Sequence, residues 1–347
     1  LPAVVIKPDG EGSWLSNLQF TDPGSLTSEE VIEKVRQAGV VGMGGAAFPA
    51  HVKMSPPPEK PIRTLLFNGV ECEPDLTSDH RMMLEEPERV LQGVSLLQYV
   101  YGAERVVIGI EANKPDAIAL LQKQCANTPV EVLPLQVKYP QGAEKQLITA
   151  ATGREVPSGG LPMDVGVAVH NVSTAAAVAD AVMLGRPLIE RVCTVTGPAI
   201  KEPKNLRVRI GMPLSHLVEV CGGLIEEPGK IILGGPMMGF AQLGFDVPVV
   251  RGTSGLLLLR EEDVTKAAEG PCIRCARCVQ ACPMNLLPTA IAAYARRSLV
   301  EETEEYCAMD CIECGSCSYV CPANIPLVQS IRHGKAAVLA KKRKALL

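Results

Sequence analysis

The chain has 347 residues, which is enough for two or three domains that each bury a core of their own. Hydrophobic residues make up 47% of it and charged residues 21%, as in an ordinary globular protein. The net charge of −4 gives no sign of a nucleic-acid-binding surface, so we expect no nucleic-acid partner. Aromatic residues make up only 3%, so backbone and aliphatic groups would have to hold any flat cofactor.

No apolar run reaches the ~18 residues that a membrane-spanning helix needs. The best stretch, residues 165–179, is interrupted by His170 and Asn171. We therefore expect a soluble or peripheral protein. The sequence shows no signal peptide and no initiator Met, which indicates that its numbering begins inside a longer chain.

Residues 1–25 are interpreted as the end of an upstream domain followed by a linker rich in Gly, Pro and Ser. A first helix follows this linker. Thr27 and Glu30 form a capping-box pattern, and Val31 and Val35 lie on one face of the predicted helix.

Short apolar strands and amphipathic helices alternate over residues 26–189. The predicted strands are Thr64–Phe67, Val106–Ile110 and Val130–Val137, and the predicted helices are Pro87–Tyr101, Pro115–Lys123, Glu144–Thr152 and Ser173–Leu184. Such alternation predicts a three-layer α/β domain.

Residues 190–259 predict a smaller α+β module, in which short strands surround one helix. The strands are Arg191–Thr196, Leu206–Ile210 and Lys230–Leu233, and the helix is Leu214–Val220. Residues 260–347 predict helices separated by cysteine loops, with helical patterns at Leu286–Arg297 and Lys335–Leu347.

Nine of the 13 cysteines lie between Cys272 and Cys321, and eight of them form two copies of the motif C-x2-C-x2-C-x3-C-P. This clustering indicates thiolate ligands in a reducing compartment rather than disulfides. The spacing is typical of two [4Fe–4S] clusters, with the fourth cysteine of each motif binding the other cluster. We assign the first cluster to Cys272, Cys275, Cys278 and Cys321, and the second to Cys311, Cys314, Cys317 and Cys282.

The alternative for these cysteines is a pair of zinc sites. Zinc needs four ligands in a tetrahedron and has no need of this repeated spacing, so iron–sulfur clusters are favoured. Cys307 lies four residues before the second motif and is interpreted as a bystander.

Four further segments carry polar or glycine-rich patterns. Gly42, Gly44 and Lys53 belong to a glycine-rich segment that could form an anion site, or simply a tight turn on the sheet. Polar residues after the strand ending at Phe67 could bind a ligand at the sheet edge, or form a solvated loop. The other two segments are the loop at residues 139–145 and the His170–Asn171 pair.

Several of these segments resemble known families. Residues 39–53, GVVGMGGAAFPAHVK, resemble the flavin loop of the NADH-oxidising subunit of respiratory complex I, and residues 68–81 resemble a second stretch of that subunit. With YPQGAEKQL at 139–147 and CIECGSCSYVCPANIPL at 311–327, the chain resembles the RnfC family. RnfC is the peripheral subunit of the Rnf ion-pumping NADH:ferredoxin oxidoreductase.

The resemblance implies a multidomain α/β protein. Its parts would be a complex-I-flavin-subunit-like (Rossmann-like) domain, a β-grasp, SLBB-like module and an α-helical ferredoxin domain with two [4Fe–4S] clusters. The first domain would bind non-covalent FMN and admit NADH. The matching FMN positions are Gly42, Gly44, Lys53, Asn68, Glu71, Gly142 and Asn171, and the catalytic and NADH positions are Phe48, Lys53, Glu73 and Glu144.

By the same resemblance, the chain would pass electrons from NADH through FMN and both clusters toward ferredoxin, coupled to ion translocation by the other Rnf subunits. It would lie on the cytoplasmic side of the bacterial inner membrane. One alternative is a cobalamin-reductase-like relative, which the resemblance of residues 7–14 to an RnfC segment disfavours. Another is an electron relay without its own flavin, since Val70 and Ala143 replace carboxylates of the complex I subunit.

Overall fold

A computed structural model describes residues 4, 6, 10, 20–264 and 267–345. Most of the predicted upstream strand and linker, and residues 7–14 apart from Gly10, lie outside the described residues. Within the described ranges, no helix is both long and apolar enough to cross a bilayer.

The first helix, α1, spans Ser28–Gln37 and begins with the predicted capping box. The Thr27 Oγ1 accepts the Glu30 backbone N–H at 3.3 Å, and the Glu30 carboxylate accepts the Thr27 N–H at 2.8 Å. These two bonds satisfy amides that the first helical turn leaves without partners. Val31 and Val35 are fully buried, so the predicted apolar face is confirmed.

A four-stranded parallel sheet with the strand order β3-β2-β1-β4 forms the centre of the first domain. Helices precede, connect and follow its strands. The strands are β1 (Thr64–Gly69), β2 (Arg105–Glu111), β3 (Val130–Leu135) and β4 (Val167–Asn171), and the helices after α1 are α2 (Ala50–Lys53), α3 (Ser78–Glu85), α4 (Pro87–Tyr101), α5 (Pro115–Cys125), α6 (Glu144–Thr152) and α7 (Val172–Met183).

The two faces of this sheet are covered by different helices. Phe67 of β1 points to the face where Leu97 of α4 and Ala175 of α7 are buried. Leu66, the neighbouring residue on β1, points to the other face and packs with Leu147 of α6. Successive strand residues thus supply opposite cores, and the predicted three-layer α/β arrangement is confirmed.

Because all four strands run in the same direction, their carboxyl ends meet at one edge of the sheet. Such an edge is where ligands usually bind in open α/β sheets. Asn68 lies near the end of β1 and Asn171 ends β4, and the two are register partners. The sheet therefore brings together two residues that are 103 positions apart in the chain.

The second unit has a mixed five-stranded sheet with the strand order β6-β5-β9-β7-β8. Its core includes Val195 and Leu256 from the sheet and Leu217 from its one α-helix. The elements are β5 (Glu190–Thr196), β6 (Lys204–Arg209), α8 (Leu214–Val220), β7 (Lys230–Leu233), β8 (Phe240–Gln242) and β9 (Gly255–Leu259).

The third unit consists of short helices around the two cysteine motifs. Ile291 and Ile331 are almost fully buried, at 0% and 1% exposure, and they share a core with Cys278 and Cys317. The helices are α9 (Arg277–Gln280), α10 (Pro288–Arg296), α11 (Val300–Glu305), α12 (Ser316–Tyr319) and α13 (Leu327–Ala345).

Candidate functional site

The glycine-rich segment forms a closed loop between α1 and α2. The Gly42 N–H donates to the Phe48 carbonyl at 2.8 Å, and Val41 and Pro49 form an isolated β-bridge that closes the loop. Within the described part of the chain, the backbone N–H groups of Gly44, Gly45 and Ala46 have no acceptor. Gly45 has a φ of +134° and open space on its Cβ side. Unpartnered loop amides of this kind can bind an anion.

Lys53 at the end of α2 links this loop to the rest of the site. Its Nζ donates to the Glu144 carboxylate at 2.8 Å and to the Val169 carbonyl at 2.9 Å. Glu144 is the first residue of α6, where the positive end of the helix favours a carboxylate. The predicted Lys53 and Glu144 therefore form one ion pair, from positions 91 residues apart in the chain.

The end of β1 is tied to the loop at residues 139–144. The Asn68 side chain donates to the Gly142 carbonyl at 2.8 Å and accepts the Val70 N–H at 3.0 Å. A Cβ at Gly142 would lie 2.3 Å from the Val70 carbonyl oxygen, so a larger residue would push this loop away from the sheet. The predicted Asn68 and Gly142 are thus direct partners.

Asn171 lies at the end of β4 and caps helix α7. Its Oδ1 accepts the N–H groups of Ser173 and Thr174 at 2.8 and 3.3 Å, and its amide donates to the Asp79 carboxylate at 2.6 Å. A Cβ on Gly44 would lie 3.4 Å from the Asn171 Cβ, so the glycine-rich loop packs directly on this residue.

Asp79 is a partly buried residue of the site that the sequence analysis missed. Its carboxylate accepts the Ser173 hydroxyl at 2.7 Å in addition to the Asn171 amide. Burial raises the pKa of this carboxyl group, and the hydrogen bonds and the charge of Arg191 act in the opposite direction. It lies in the 68–81 stretch that resembles the complex I subunit, which is the signal that could have identified it.

The carboxylates of Glu71 and Glu73 both accept hydrogen bonds from other groups of the protein. Glu71 accepts the Ser78 hydroxyl at 3.0 Å and the N–H groups of Asp79 and His80 at 3.0 and 3.1 Å, at the start of α3. Burial, and then the charge of Asp79, raise the pKa of Glu71 to about 7.

Glu73 extends from the first domain into the second unit. It accepts the backbone N–H groups of Met237 and Met238 at 3.0 and 2.7 Å, and burial raises its pKa. Phe48, in contrast, is half exposed at the rim of the glycine-rich loop. Among the predicted NADH-contacting residues, Phe48 is therefore accessible to a ligand. The Glu73 carboxylate instead bonds the first domain to the second unit.

The cysteines of the proposed second cluster surround a common cleft. Cys282, Cys311, Cys314 and Cys317 all line this cleft, together with apolar residues such as Leu286 and Ile331. Burial, and then the neighbouring cysteines of this set, raise the pKa of the Cys317 thiol to about 12. Cys282 of the first motif therefore lies with three cysteines of the second motif, around one cleft.

The cysteines of the proposed first cluster also converge from both motifs. The Gly270 N–H donates to the Ala323 carbonyl at 2.9 Å, which brings the start of the first motif beside the end of the second. Burial raises the pKa of Cys278, and charges on Cys321 and Cys275 add to this effect. Cys272 and Cys275 are exposed, so this ligand set lies at the surface.

The distances between the cysteines can be compared with those that a zinc site needs. Within the described residues, no group of three or more His, Cys, Asp or Glu side chains converges closely enough to hold a single metal ion. The four thiolates of a [4Fe–4S] cluster bind four different irons, so they lie further apart than the ligands of one zinc ion. The residues present fit two cubanes by their donor type, spacing and surroundings.

The first domain and the third unit are in direct contact. The Tyr139 hydroxyl donates to the Cys314 carbonyl at 2.7 Å, and the Gln146 amide of α6 donates to the Pro283 carbonyl at 3.1 Å. Asp310 accepts the Gly159 N–H at 3.0 Å. The loop at residues 139–144 thus contacts the cysteine domain at one end and carries Gly142 and Glu144 at the other.

Family models match the three units in order. Residues 35–180 match the Nuo51 FMN-binding domain, residues 192–241 the SLBB domain and residues 271–325 the 4Fe-4S dicluster domain. Over 96% of the chain and 74% of the relative, it is 51% identical to the RnfC protein of the proton-translocating ferredoxin:NAD(+) oxidoreductase complex of Clostridium ljungdahlii. The chain belongs to the RnfC family.

Other RnfC relatives are similar over almost the whole chain. The RnfC protein of the Na(+)-translocating ferredoxin:NAD(+) oxidoreductase complex of Acetobacterium woodii is 47% identical over 99% of the chain and 78% of the relative. Its counterpart in the ion-translocating oxidoreductase complex of Rhodobacter capsulatus is 43% identical over 99% of the chain and 67% of the relative. These RnfC matches favour neither the cobalamin-reductase alternative nor the relay without flavin.

A solved structure shows the same fold in a larger protein. The NAD+-reducing [NiFe]-hydrogenase in its H2-reduced state matches 90% of this chain and 61% of its own chain, with a TM-score of 0.59 and 17% identity. At this identity the likeness concerns the fold alone. The predicted fold class, with an FMN-type α/β domain, an SLBB module and a dicluster domain, is confirmed.

Proposed function

We propose that this RnfC-family chain is the electron-input subunit of an ion-translocating ferredoxin:NAD+ oxidoreductase. It oxidises NADH at FMN and passes electrons one at a time through two [4Fe–4S] clusters toward ferredoxin and the membrane partners. One observation carries this proposal most directly. The loop that holds Gly142 and Glu144 also bonds the Cys314 backbone through Tyr139, so the flavin and cluster sites share one segment.

The residues present fit FMN at the carboxyl edge of the parallel sheet. The unpartnered amides of Gly44, Gly45 and Ala46 and the cation of Lys53 provide hydrogen-bond donors and positive charge for an anionic group. When bound, FMN accepts a hydride and releases its electrons singly. We assign its binding to the backbone and side chains that converge at this edge: Gly42, Gly44, Lys53, Asn68, Gly142 and Asn171.

The role of this chain is to position the reactants, because the reaction needs no protein nucleophile. The exposed ring of Phe48 provides an apolar wall for the nicotinamide. Glu144 holds the Lys53 ammonium beside the Val169 carbonyl, so a positive charge stays near the flavin site as negative charge develops there. Glu71 and Glu73 hold neighbouring backbone segments in place, because their carboxylate oxygens accept backbone N–H groups of the protein.

The ligand assignment for the clusters follows the convergence of both motifs. Cys311, Cys314, Cys317 and Cys282 would hold the cluster that faces the flavin domain. Cys272, Cys275, Cys278 and Cys321 would hold the cluster that faces solvent. The chain itself needs only to hold these thiolates at fixed positions and to shield the inner set from water.

We place the chain at the cytoplasmic side of the bacterial inner membrane, bound to the other Rnf subunits. The names of its relatives support this assembly, since they describe one subunit of ion- or proton-translocating complexes. NADH is available on that side, and a reducing compartment suits the exposed thiolates.

An anaerobic NADH titration tests the proposal. We expect protein reconstituted with FMN, iron and sulfide to lose its flavin absorbance band as NADH is added, and then to show the electron paramagnetic resonance signal of reduced [4Fe–4S] clusters. A Cys314→Ala variant should still bleach its flavin and lose one cluster signal. Flavin that stays oxidised in the cluster-loaded wild type would contradict the proposal.

A further inference from the structure

The two cysteine loops share a backbone conformation and differ in the side chains between their cysteines. Arg274 and Glu313 occupy the equivalent position in the two motifs, with φ values of 56° and 58°. Arg277 and Ser316 form a further equivalent pair. Because the backbones match, the side chains decide what each loop contacts.

The second loop faces the rest of the chain. Glu313 accepts bonds from Arg332 Nε at 2.8 Å and Lys335 Nζ at 2.6 Å, so its charge is neutralised internally. Gly315 packs so closely on the second unit that a Cβ would lie 2.7 Å from the Met237 carbonyl oxygen. With the Tyr139 contact to Cys314, this loop is enclosed by all three units.

The first loop faces solvent. Cys272, Arg274, Cys275 and Arg277 are all exposed, and the Ile273 side chain is 66% exposed.

Within the ranges that the structure describes, neither Arg274 nor Arg277 has an ion-pair partner. Glu269, the nearest carboxylate along the chain, is bonded by Arg296 at 2.5 Å. Two unpaired guanidinium groups and one exposed apolar side chain therefore surround the outer cluster ligands.

We propose that Ile273, Arg274 and Arg277 form a docking surface for an acidic electron-transfer protein or domain. The proposal rests on the proposed function, since it places the exit for the electrons at the first-motif cluster. In each encounter one electron moves between this cluster and the partner's redox centre, and no bond is made or broken. Unpaired cations attract and orient an acidic partner, and an apolar centre excludes water from the contact.

Binding of an acidic [4Fe–4S] ferredoxin to the fully loaded chain tests this surface, with calorimetry as the readout. We expect Arg274→Glu with Arg277→Glu to weaken binding about ten-fold or more, and Arg274→Gln with Arg277→Gln to weaken it less. Glutamate already occupies the equivalent backbone position at Glu313, so the loop should accept it. The matched control reverses two exposed cations elsewhere, Lys123→Glu with Lys201→Glu, and should change affinity by less than about two-fold. Affinity should fall as salt rises from about 50 to about 200 mM.

Equal affinity in wild type and in the double glutamate variant would overturn the proposal. So would an equal loss in the control variant, or a change only in the reduction potential of the cluster. NADH titration of the same samples separates this result from the proposed function. If NADH reduces the chain's own flavin and clusters while the ferredoxin affinity is unchanged by the substitutions, only the docking surface is wrong. If NADH reduces neither, the proposed function is wrong, and the binding data still decide about the surface.

Discussion

At the scale of single residues, Lys53 connects three parts of the proposed flavin site. Its ammonium bonds both the Glu144 carboxylate and the Val169 carbonyl, so its removal takes one hydrogen-bond donor from each of them. Hydrogen bonds to charged groups contribute about 1.5–3 kcal/mol each.

We therefore expect Lys53→Met to weaken FMN binding about 10- to 100-fold, which fluorescence titration of free FMN can measure. Lys60→Met is the matched control, because Lys60 pairs with Asp164 at 2.6 Å on the surface. Comparable FMN affinities in the two variants would contradict a role for Lys53.

His170 provides a residue-scale prediction about acidity. It is buried, and its Nε2 lies 2.9 Å from the Tyr101 hydroxyl, which donates to the Lys53 carbonyl. Burial, and then the charge of Lys53, lower the pKa of His170 from 6.5 to about 3. Between these values the unfolded chain binds a proton that the folded chain rejects, so this residue makes the protein less stable as the pH falls below 6.5.

The stability difference between wild type and His170→Gln should therefore shrink by about 2 kcal/mol from pH 7 to pH 5. Other titrating groups, including Glu71, are present in both proteins and cancel in the comparison. Denaturant unfolding at both pH values measures the difference, with the exposed His333→Gln as control. A difference that is independent of pH would show that His170 is not held neutral.

At the scale of elements, helices α4 and α7 cross in close contact. A Cβ added to Gly93 of α4 would lie 1.8 Å from the Ala175 carbonyl oxygen of α7, so the two backbones touch. Both helices cover one face of the parallel sheet, and α7 begins at the Asn171 cap. The position of this crossing therefore determines where the end of β4 presents Asn171.

We expect Gly93→Ala to destabilise the chain by about 1–3 kcal/mol, although alanine favours helices over glycine by about 1 kcal/mol. The overpacked contact would force α4 and α7 apart, and equilibrium denaturation measures the loss. Gln92→Ala, on the exposed side of the same helix, is the control. A stabilised Gly93→Ala variant would mean that the helices separate at little cost.

The sequence predicted those elements whose boundaries carry local signals. The α1 cap, the strands up to β3 and the helix of the second unit all have such signals, and the structure contains them. β4 was missed because Val167–Asn171 continues without a break into the apolar start of α7, and periodicity cannot separate a buried strand from a buried helix there. The start of α13 was placed at Lys335 instead of Leu327, because a second cysteine motif directly precedes it.

The sequence predicted those site residues that belong to a local motif or to a segment resembling a known family. The spacing of the cysteines alone identifies them as candidate cluster ligands. The Lys53–Glu144 pair and the Asn68–Gly142 bond follow from a fold that only the resemblance supplied. The contact between Glu73 and Met238 spans 165 residues and involves backbone N–H groups, which no side-chain pattern reveals.

At the scale of the whole molecule, each proposed cluster joins both cysteine motifs. Cys282 belongs to the first motif but lies beside the cysteines of the second motif. Cys321 belongs to the second motif but lies beside Cys278 of the first. Replacing either residue should therefore damage the cluster of the opposite motif. This crossed assignment distinguishes the two-cluster arrangement from two independent four-cysteine sites.

We expect Cys282→Ala to remove the enclosed cluster and Cys321→Ala to remove the exposed one, each with about half of the bound iron. Iron analysis measures how much iron each variant loses, and the electron paramagnetic resonance spectrum of the reduced protein shows which cluster signal is missing. Cys307→Ala, which alters an exposed cysteine outside both motifs, should keep all the iron. Loss of the same cluster in both variants would refute the crossed assignment.

The turn at Met237 and Met238 receives the Glu73 carboxylate on one side and the Gly315 backbone on the other. Electron tunnelling slows steeply as the gap between donor and acceptor widens. The second unit, to which we assign no redox group, therefore helps to fix that gap, together with the direct contacts between the first and third units. Changes confined to this turn would alter the speed of the internal electron hop while the chemistry at either end stayed the same.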